Sequence, residues 1–232
     1  IELIRSFGVE IVSSANLVQI FEAVIDEEGY QSHLRAGQKV QQIKNEAFAL
    51  ISSRIKEQKS VTEFEVQQFI VKRFAEEDLT DDNEHPIVGI NEHPADPHFE
   101  PKAENAYTIK TGDKVLIDLW AREQSERAIY YDITWCGFVG QNPPAKYVEI
   151  FNTVVRARNA ARDFIRRKMA DNQLCYGYQV DDACRNVVKE AGYGNYFVHR
   201  TGHSIGHYVH GNGVNIDNLE TKDERELVPG IC

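Results

Sequence analysis

The sequence of 232 residues carries 26 Lys and Arg against 36 Asp and Glu, which gives a formal net charge of −10. An acidic chain without a basic run argues against a nucleic-acid partner or an anionic membrane surface, because phosphate groups attract clustered positive charge. It shows neither an apolar run near the roughly 20 residues of a membrane helix nor the pattern of a signal peptide, so no membrane segment is expected.

The first half of the chain predicts two helices and an irregular segment. Apolar residues recur at steps of three and four between about residues 35 and 58, which indicates an amphipathic helix. Thr62 and Glu65 form a capping-box pattern that predicts the start of a second helix. Residues 80–105 are rich in Pro, Asp, Asn and His and exclude a regular helix, with room for a short strand at 87–90.

The second half predicts strands, then helices, then extended chain. β-Branched and aromatic residues predict strands at 114–121 and 128–140. A long helix is expected at 145–170 and a shorter one at 177–192, ended by a glycine, before a glycine-broken extended segment at 196–210. The order helix, shorter helix, strand therefore occurs twice, which favours a duplicated α+β domain.

The four cysteines are widely spaced and include no C-x-x-C pair. This pattern is typical of reduced thiols in a protein of the cytoplasm, where disulfides are rare. We therefore expect a cytoplasmic location and buried, reduced thiols at Cys136, Cys175, Cys184 and Cys232.

Two aspartates in apolar strands indicate a site. Asp118 and Asp132 lie inside the two predicted strands, and a hairpin centred on Ser125 would place them directly opposite each other. Opposed like charges repel at Cβ separations of about 4.5–5.5 Å, and burying a carboxylate without a partner is unfavourable. Three explanations stay open: separate aspartates that reach solvent, a pair that shares one proton, or a pair that binds a metal ion.

Histidines in "VHRTGHSIGHYVHG" strengthen the metal interpretation. His203, His207 and His210 would share one face of a helix, but the interspersed glycines disfavour helix, each by on the order of 1 kcal/mol. In extended chain His199, His203 and His207 would share a face instead. Oxygen-rich ligation with an imidazole suits Mn²⁺, Fe²⁺, Co²⁺ or Zn²⁺, and two such ions would support hydrolysis.

Together, "VLIDLWA…YYDITWCGFVG" and "HRTGHSIGHYVHG" resemble the pita-bread (M24-type) metallopeptidases, which include methionine aminopeptidase, aminopeptidase P, prolidase and creatinase. The resemblance implies an α+β pita-bread fold, with duplicated helix-helix-strand halves around a curved antiparallel sheet. By match to the motif, Asp118 would be the bidentate ligand of one metal ion, Asp132 would bridge two, and His203 would be the histidine ligand. His210 would contact the substrate carbonyl.

Two more histidines favour the proline-specific branch of this family. His98 in "PHFEP" and His199 match substrate-contacting histidines of aminopeptidase P and prolidase, whereas His207 matches no functional position. The resemblance therefore implies hydrolysis of Xaa-Pro bonds at a peptide N-terminus by a hydroxide that two divalent metal ions activate. Mn²⁺ is the preferred metal, with Co²⁺, Zn²⁺ or Fe²⁺ as alternatives. A peptide with proline in its second position is the expected partner, and a homodimer is compatible with the family.

The sequence also departs from the family pattern. The aspartates are spaced more widely than is usual, and the two glutamate ligands of the family would follow beyond Cys232. We therefore expect a chain cut at both ends, with residues 1–34 leading from a missing N-terminal domain and 35–232 forming a catalytic domain without its C-terminal strands. Such a chain should bind metal weakly and lack peptidase activity.

Two other functions remain open. One is a pita-bread binding module without catalysis, and the other is a creatinase-like, metal-free carbon–nitrogen hydrolase. Both are disfavoured because Asp118, Asp132 and His203 are all retained.

Overall fold

The computed structural model describes residues 2–96 and 99–232. The chain divides into two compact units. Unit 1 comprises the residues up to Ile25, Thr153–Ser204 and His210–Cys232, and unit 2 comprises Asp26–Asn152 and Ile205–Val209. The assignment of residues 1–34 to a leading segment and of 35–232 to a catalytic domain stays a prediction.

The predicted helices and strands occur in the expected order, together with two helices near the N-terminus and one two-residue strand that were not predicted. The helices are α1 (Glu2–Arg5), α2 (Ala15–Glu22), α3 (Glu27–Lys56), α4 (Glu63–Glu76), α5 (Ala145–Ala170) and α6 (Gly177–Glu190). The strands are β1 (Leu79–Thr80), β2 (Ile87–Ile90), β3 (Lys114–Glu123) and β4 (Tyr131–Phe138). Short 3₁₀ helices lie at His93–Ala95 and Gly194–Tyr196. No helix in the described ranges combines the length and apolarity needed to cross a membrane.

In unit 2, α3 begins at Glu27, earlier than the start predicted near residue 35. The side chain of Asp26 caps this helix by accepting the Gly29 N–H at 2.8 Å. The buried stripe of the first turns consists of small residues, among them Gly29 and Gly37, which apolar periodicity does not register. A Cβ at Gly37 would lie 2.7 Å from the Tyr131 ring, so the missing side chain permits close packing of α3 on β4.

Helix α4 begins as predicted. Thr62 accepts the N–H of Glu65 at 3.2 Å, and the Glu65 carboxylate accepts the N–H of Thr62 at 2.7 Å, which completes the capping box. The buried stripe of α4 faces the same core as α3.

The sheet of unit 2 is antiparallel around β3, which pairs with β2 on one side and β4 on the other, while β1 pairs with its last residues. Alternate residues of β3 are buried in the core with α3 and α4, from Val115 through Ile117 and Leu119 to Ala121. The residues between them are partly exposed, because side chains alternate across a strand. We call the side of the sheet that bears these intervening residues the open face.

Unit 1 forms a smaller core in which Ala157 and Ala161 of α5 meet Val180 and Cys184 of α6. Helix α6 ends as predicted, with Gly192 at a φ of 85°, the left-handed conformation that glycine adopts without strain. In the described part of segment 196–210 the backbone forms no named strand. The predicted extended chain is present as an isolated bridge between Gly202 and Ile216.

All four cysteines are free thiols. Cys175 and Cys184 are buried, as expected. The expectation of burial is wrong for Cys136, which lies on the open face of β4, and for Cys232 at the last residue, since both are exposed.

Candidate metal centre

The hairpin of β3 and β4 brings the two aspartates onto one face. Asp118 pairs with Thr134, and Asp132 pairs with Trp120. The predicted direct opposition of Asp118 and Asp132 is therefore wrong. Because the pairing is displaced by two residues, and side chains alternate with a period of two, both carboxylates still project from the open face. They occupy diagonal positions, whose typical separation is about 7–8 Å.

The register differs because long-range contacts fix the hairpin loop. Strand β3 continues to Glu123, beyond its predicted end, and the loop residues Ala128, Ile129 and Tyr130 are buried. Ser32 of α3 accepts the Ile129 N–H at 3.0 Å, and the Tyr130 hydroxyl donates to Asp82 at 2.7 Å. Anchors from distant parts of the sequence, rather than the polarity of the loop, therefore set the pairing.

The open face presents the chemistry expected around a cation. Thr134 donates its hydroxyl to Asp118 Oδ1 at 2.6 Å, which orients that carboxylate. The indole N–H of Trp120, opposite Asp132, is buried and has no hydrogen-bond partner among the described residues. Although Cys136 on the same face is exposed as a residue, the protein atoms packed around its sulfur raise the pKa of the thiol by desolvation, and the charge of Asp118 adds to this effect. Two oxygen-donor side chains, those of Asp118 and Asp132, therefore lie along one surface of unit 2.

In unit 1, two of the predicted histidines lie together. The ring centroids of His203 and His210 are 4.4 Å apart, with the rings tilted by 46°. His203 Nδ1 donates to the carbonyl oxygen of Ser204 at 3.0 Å, because a carbonyl can only accept. This bond selects the tautomer in which Nε2 carries the lone pair, the form that binds metal.

The remaining predicted histidines differ in their surroundings. His199 is exposed, donates from Nδ1 to the Arg200 carbonyl at 2.7 Å, and meets the Phe197 ring edge-on at 5.4 Å. His207 belongs to unit 2, is exposed, and its Nδ1 donates to the Ala128 carbonyl at 3.2 Å. His98 lies outside the described residues.

A fully buried glutamate organises the irregular segment that follows β2. Glu63, the first residue of α4, accepts the N–H of Ile90 at 2.7 Å and the N–H of Tyr107 at 2.7 Å. It also contacts His93 Nδ1 at 2.8 and 3.0 Å. The His93 ring packs on Phe99 and Tyr107 at centroid distances of 4.1 and 4.0 Å. A single carboxylate thus binds both ends of the segment between Ile90 and Tyr107.

A second buried carboxylate organises the histidine-bearing segment of unit 1. Asp181 of α6 is fully buried and pairs with Arg185 at 2.8 Å. Burial alone would raise the pKa of Asp181. Hydrogen bonds from Arg185 and Thr201 outweigh this effect, and the pKa lies below its ordinary value.

Both anchors have a signal in the sequence that lies outside the metal-binding motifs. Glu63 occupies the same buried stripe of α4 as Val66, Gln67 and Ile70. Asp181 and Arg185 occupy the buried stripe of α6 at a spacing of four. A charged residue at a position where periodicity demands an apolar one indicates a buried anchor, because burial of an unpaired charge is strongly unfavourable.

The donor set fits a divalent metal ion in type. Carboxylates and a neutral imidazole are the ligands that Mn²⁺, Co²⁺ and Zn²⁺ accept. Within residues 2–96 and 99–232, no group of three or more His, Cys, Asp or Glu side chains is arranged to hold a metal ion. The structure therefore brings the aspartates together in unit 2 and the histidines together in unit 1, each set within its own unit.

Comparison with known proteins identifies relatives. The chain is 35% identical to the probable dipeptidase PepE of Mycobacterium tuberculosis over 146 residues. This aligned region is 63% of this chain and 35% of that protein. The Xaa-Pro dipeptidase of Lactobacillus delbrueckii subsp. lactis is 28% identical over 151 residues, again 63% of this chain and 35% of the relative. The chain thus spans about a third of the length of these relatives.

A solved structure shows the same fold over nearly the whole chain. Dipeptidase PepE from Mycobacterium ulcerans superposes with a TM-score of 0.75 and 25% identity, covering 99% of this chain and 56% of that one. The α+β pita-bread fold expected from the sequence is thereby confirmed. The sequence model of metallopeptidase family M24 matches residues 35–232, which is most of the chain, and the protein therefore belongs to this family.

Proposed function

We propose that this chain belongs to a peptidase that hydrolyses Xaa-Pro bonds at the N-terminus of a peptide with the help of two divalent metal ions. The observation that carries the proposal is the placement of Asp118 and Asp132 on one face of a hairpin, at diagonal positions. Relatives named Xaa-Pro dipeptidase and dipeptidase support the substrate class. Mn²⁺ as the metal, a cytoplasmic location and a homodimer stay predictions.

The proposed ligands are Asp118, which would bind one metal ion, Asp132, which would bridge both, and His203. Bound divalent ions would act as Lewis acids toward the scissile carbonyl and lower the pKa of a water molecule. Thr134 would hold the Asp118 carboxylate in one orientation through its hydroxyl. The Nδ1 bond of His203 to Ser204 would leave Nε2 of the neutral ring as the nitrogen that binds metal.

The other histidines would act on the peptide. His210 would donate a hydrogen bond to the substrate carbonyl oxygen, where negative charge develops during attack. His199 and His98 would contact the substrate. For the 232 residues alone we propose weak metal binding and no significant turnover, because two negative ligands and one histidine do not complete the coordination that two ions require.

The test uses the full-length gene product, supplied with Mn²⁺ and assayed on peptides with proline in the second position. Matched peptides with alanine there, and a Met-Ala peptide, serve as substrate controls. Asp132→Asn should abolish hydrolysis, and chelation of the metal should do the same. Asp163→Asn is the matched control, since Asp163 is an exposed carboxylate on α5 that forms an ion pair with the adjacent Arg162.

Each outcome separates the alternatives. Hydrolysis that survives chelation would contradict metal dependence and favour the creatinase-like chemistry. Cleavage of the Met-Ala peptide without cleavage of Xaa-Pro peptides would contradict the substrate class. Absence of both metal binding and cleavage in the full-length protein would favour the binding module.

A further inference from the structure

The ion pair of Asp181 and Arg185 in unit 1 has no part in the proposed chemistry, yet it is almost completely removed from solvent. Asp181 is fully buried and Arg185 is 5% exposed. The guanidinium donates Nε to Asp181 Oδ2 at 2.8 Å and Nη2 to Oδ1 at 3.1 Å. Burying such a pair brings little net stability, because desolvation of both charges offsets their attraction. Its contacts with the surrounding backbone therefore indicate its role.

The arginine holds two carbonyl groups of the histidine-bearing segment. Nη1 of Arg185 donates to the Phe197 carbonyl at 2.9 Å, and Nη2 donates to the His199 carbonyl at 2.8 Å. The guanidinium also lies 4.2 Å from the centre of the Phe197 ring. Carbonyl groups two residues apart point to the same edge of an extended segment, so one planar fork binds both.

Asp181 binds the next residues along the same edge of this segment. Asp181 Oδ1 accepts the Thr201 N–H at 3.0 Å and the Thr201 hydroxyl at 2.6 Å, and Oδ2 accepts the Asn218 N–H at 3.2 Å. The carbonyls of residues 197 and 199 and the amide of residue 201 thus bind the ion pair in sequence. The pair therefore takes the place that a neighbouring strand would occupy in a sheet.

The next residues are held from another part of unit 1. Gly202 exchanges backbone hydrogen bonds with Ile216 at 3.2 and 3.1 Å, and the Ser204 N–H donates to Asn215 Oδ1 at 3.0 Å. His203 lies between these two contacts. His199 lies between Phe197 and Thr201, both of which the ion pair binds, and its own carbonyl is bound by Arg185 as well. The backbone at both histidines is fixed on either side.

We propose that Asp181 and Arg185 are positioning residues that set the backbone from which His199 and His203 reach metal and substrate. This proposal rests on the proposed peptidase function. Arg185 reaches His199 by two routes, through the carbonyl of that residue and through the Phe197 ring that both side chains contact. Neither positioning residue touches the reacting atoms.

The most informative variants leave the charge at position 185 unchanged but remove hydrogen bonds that depend on the shape of the side chain. Arg185→Lys retains the positive charge, but its three donors on a single atom cannot reproduce the four hydrogen bonds of the planar guanidinium. Thr201→Val removes a single hydroxyl bond to Asp181 and is a milder change that keeps the fold testable if the lysine variant does not fold. Arg73→Lys is the matched control in unit 2, where Arg73 binds Glu46, Glu76 and Glu77 at 2.7, 2.6 and 2.8 Å.

In the full-length gene product we expect Arg185→Lys to weaken Mn²⁺ binding and to lower kcat by about 10–100-fold, the range found when a residue behind a metal ligand is replaced. KM should change far less than kcat, because the loss concerns the orientation of the reacting groups. Amide hydrogen exchange across residues 197–204 should accelerate. Thr201→Val should show the same effects at reduced size, and Arg73→Lys none of them.

The results separate this proposal from the proposed function. If the wild-type protein cleaves no peptide but binds Mn²⁺, the peptidase proposal fails, while Mn²⁺ affinity and exchange still decide the positioning role. Unchanged Mn²⁺ affinity and kcat in a folded Arg185→Lys protein would overturn the positioning role, whatever its melting temperature. If the wild-type protein neither binds Mn²⁺ nor cleaves, both proposals fall.

Discussion

Carboxylates on the open face of the sheet and carboxylates inside the two cores have opposite surroundings. Glu63 and Asp181 are fully buried and accept backbone N–H groups from segments distant in the sequence. Asp118 and Asp132 are partly exposed and lie on one surface with another acid as neighbour. A buried carboxylate whose oxygens bind the protein organises structure. A carboxylate on an accessible face beside a second one is suited to bind a cation. The variants below test this contrast, from the largest expected effect to the smallest.

Replacement of Glu63 should have the largest effect on stability. In Glu63→Leu the N–H groups of Ile90 and Tyr107 lose their acceptor, and unsatisfied buried groups are each unfavourable by about 1–3 kcal/mol. We expect the free energy of unfolding, measured with urea, to fall by about 3–5 kcal/mol. Glu92→Leu, at an exposed residue of the same segment, should change it by less than about 0.5 kcal/mol. Similar losses in both variants would contradict the anchoring role.

Asp181→Asn should destabilise the protein by about 2–4 kcal/mol at pH 7, because Arg185 then lacks its buried counter-charge. The loss should depend on pH. The pKa of Asp181 is lower in the folded protein than in the unfolded chain, despite burial, owing to Arg185 and Thr201. Its stabilisation is therefore complete above the unfolded value of about 3.9 and is lost as the pH falls through the lower folded value. Urea unfolding between pH 7 and pH 3 should show the difference between the two proteins narrowing below about pH 4, and a constant difference would refute this.

The N-terminal cap of α4, next to Glu63, should contribute less to the free energy of unfolding than Glu63 itself. Thr62→Ala removes the cap of α4 and should lower the free energy of unfolding by about 1 kcal/mol. Thr62→Ser keeps a hydroxyl acceptor for the Glu65 N–H and should lose much less. Equal losses for alanine and serine would show that the methyl group of Thr62, rather than its hydroxyl, stabilises this turn.

The open-face carboxylates should matter least to the metal-free fold. Asp118→Asn removes one of two neighbouring charges and should change stability by less than about 1 kcal/mol. In the full-length gene product, Mn²⁺ should raise the melting temperature of the wild type, since a ligand stabilises the state that binds it, and raise that of Asp118→Asn less. A large loss of stability without metal would place Asp118 among the structural anchors instead.

Local patterns predicted most of the helices and strands. The stripe of α3, the capping box of α4 and the strands β3 and β4 each follow from residues close together in sequence. The early start of α3 could not be predicted in this way, because its first turns bury glycine and serine rather than large apolar side chains. Periodicity counts hydrophobicity, whereas close packing at Gly37 depends on the absence of a side chain.

The site was predictable in its composition and less so in its geometry. The residues Asp118 and Asp132 stood out as charges in apolar strands, and their common face follows from the alternation of side chains. The pairing register of β3 and β4 does not follow from local sequence, because hydrogen bonds to Ser32 and Asp82 fix the hairpin loop across long sequence separations. The buried anchors Glu63 and Asp181 were recognisable as charges in the buried stripes of α4 and α6, but their partners were not, because these lie at least 20 residues away in the sequence apart from Arg185.

The carboxylate of Glu63 binds both ends of the loop excursion between Ile90 and Tyr107 through hydrogen bonds to their N–H groups. The geometry at which the excursion leaves and rejoins the core is therefore set by helix α4 rather than by the residues of the excursion. Lengthening a loop whose ends are already fixed adds little free energy, roughly 0.6 kcal/mol for each doubling. The core beneath this loop should therefore tolerate substitutions and insertions between the two fixed ends with little loss of stability.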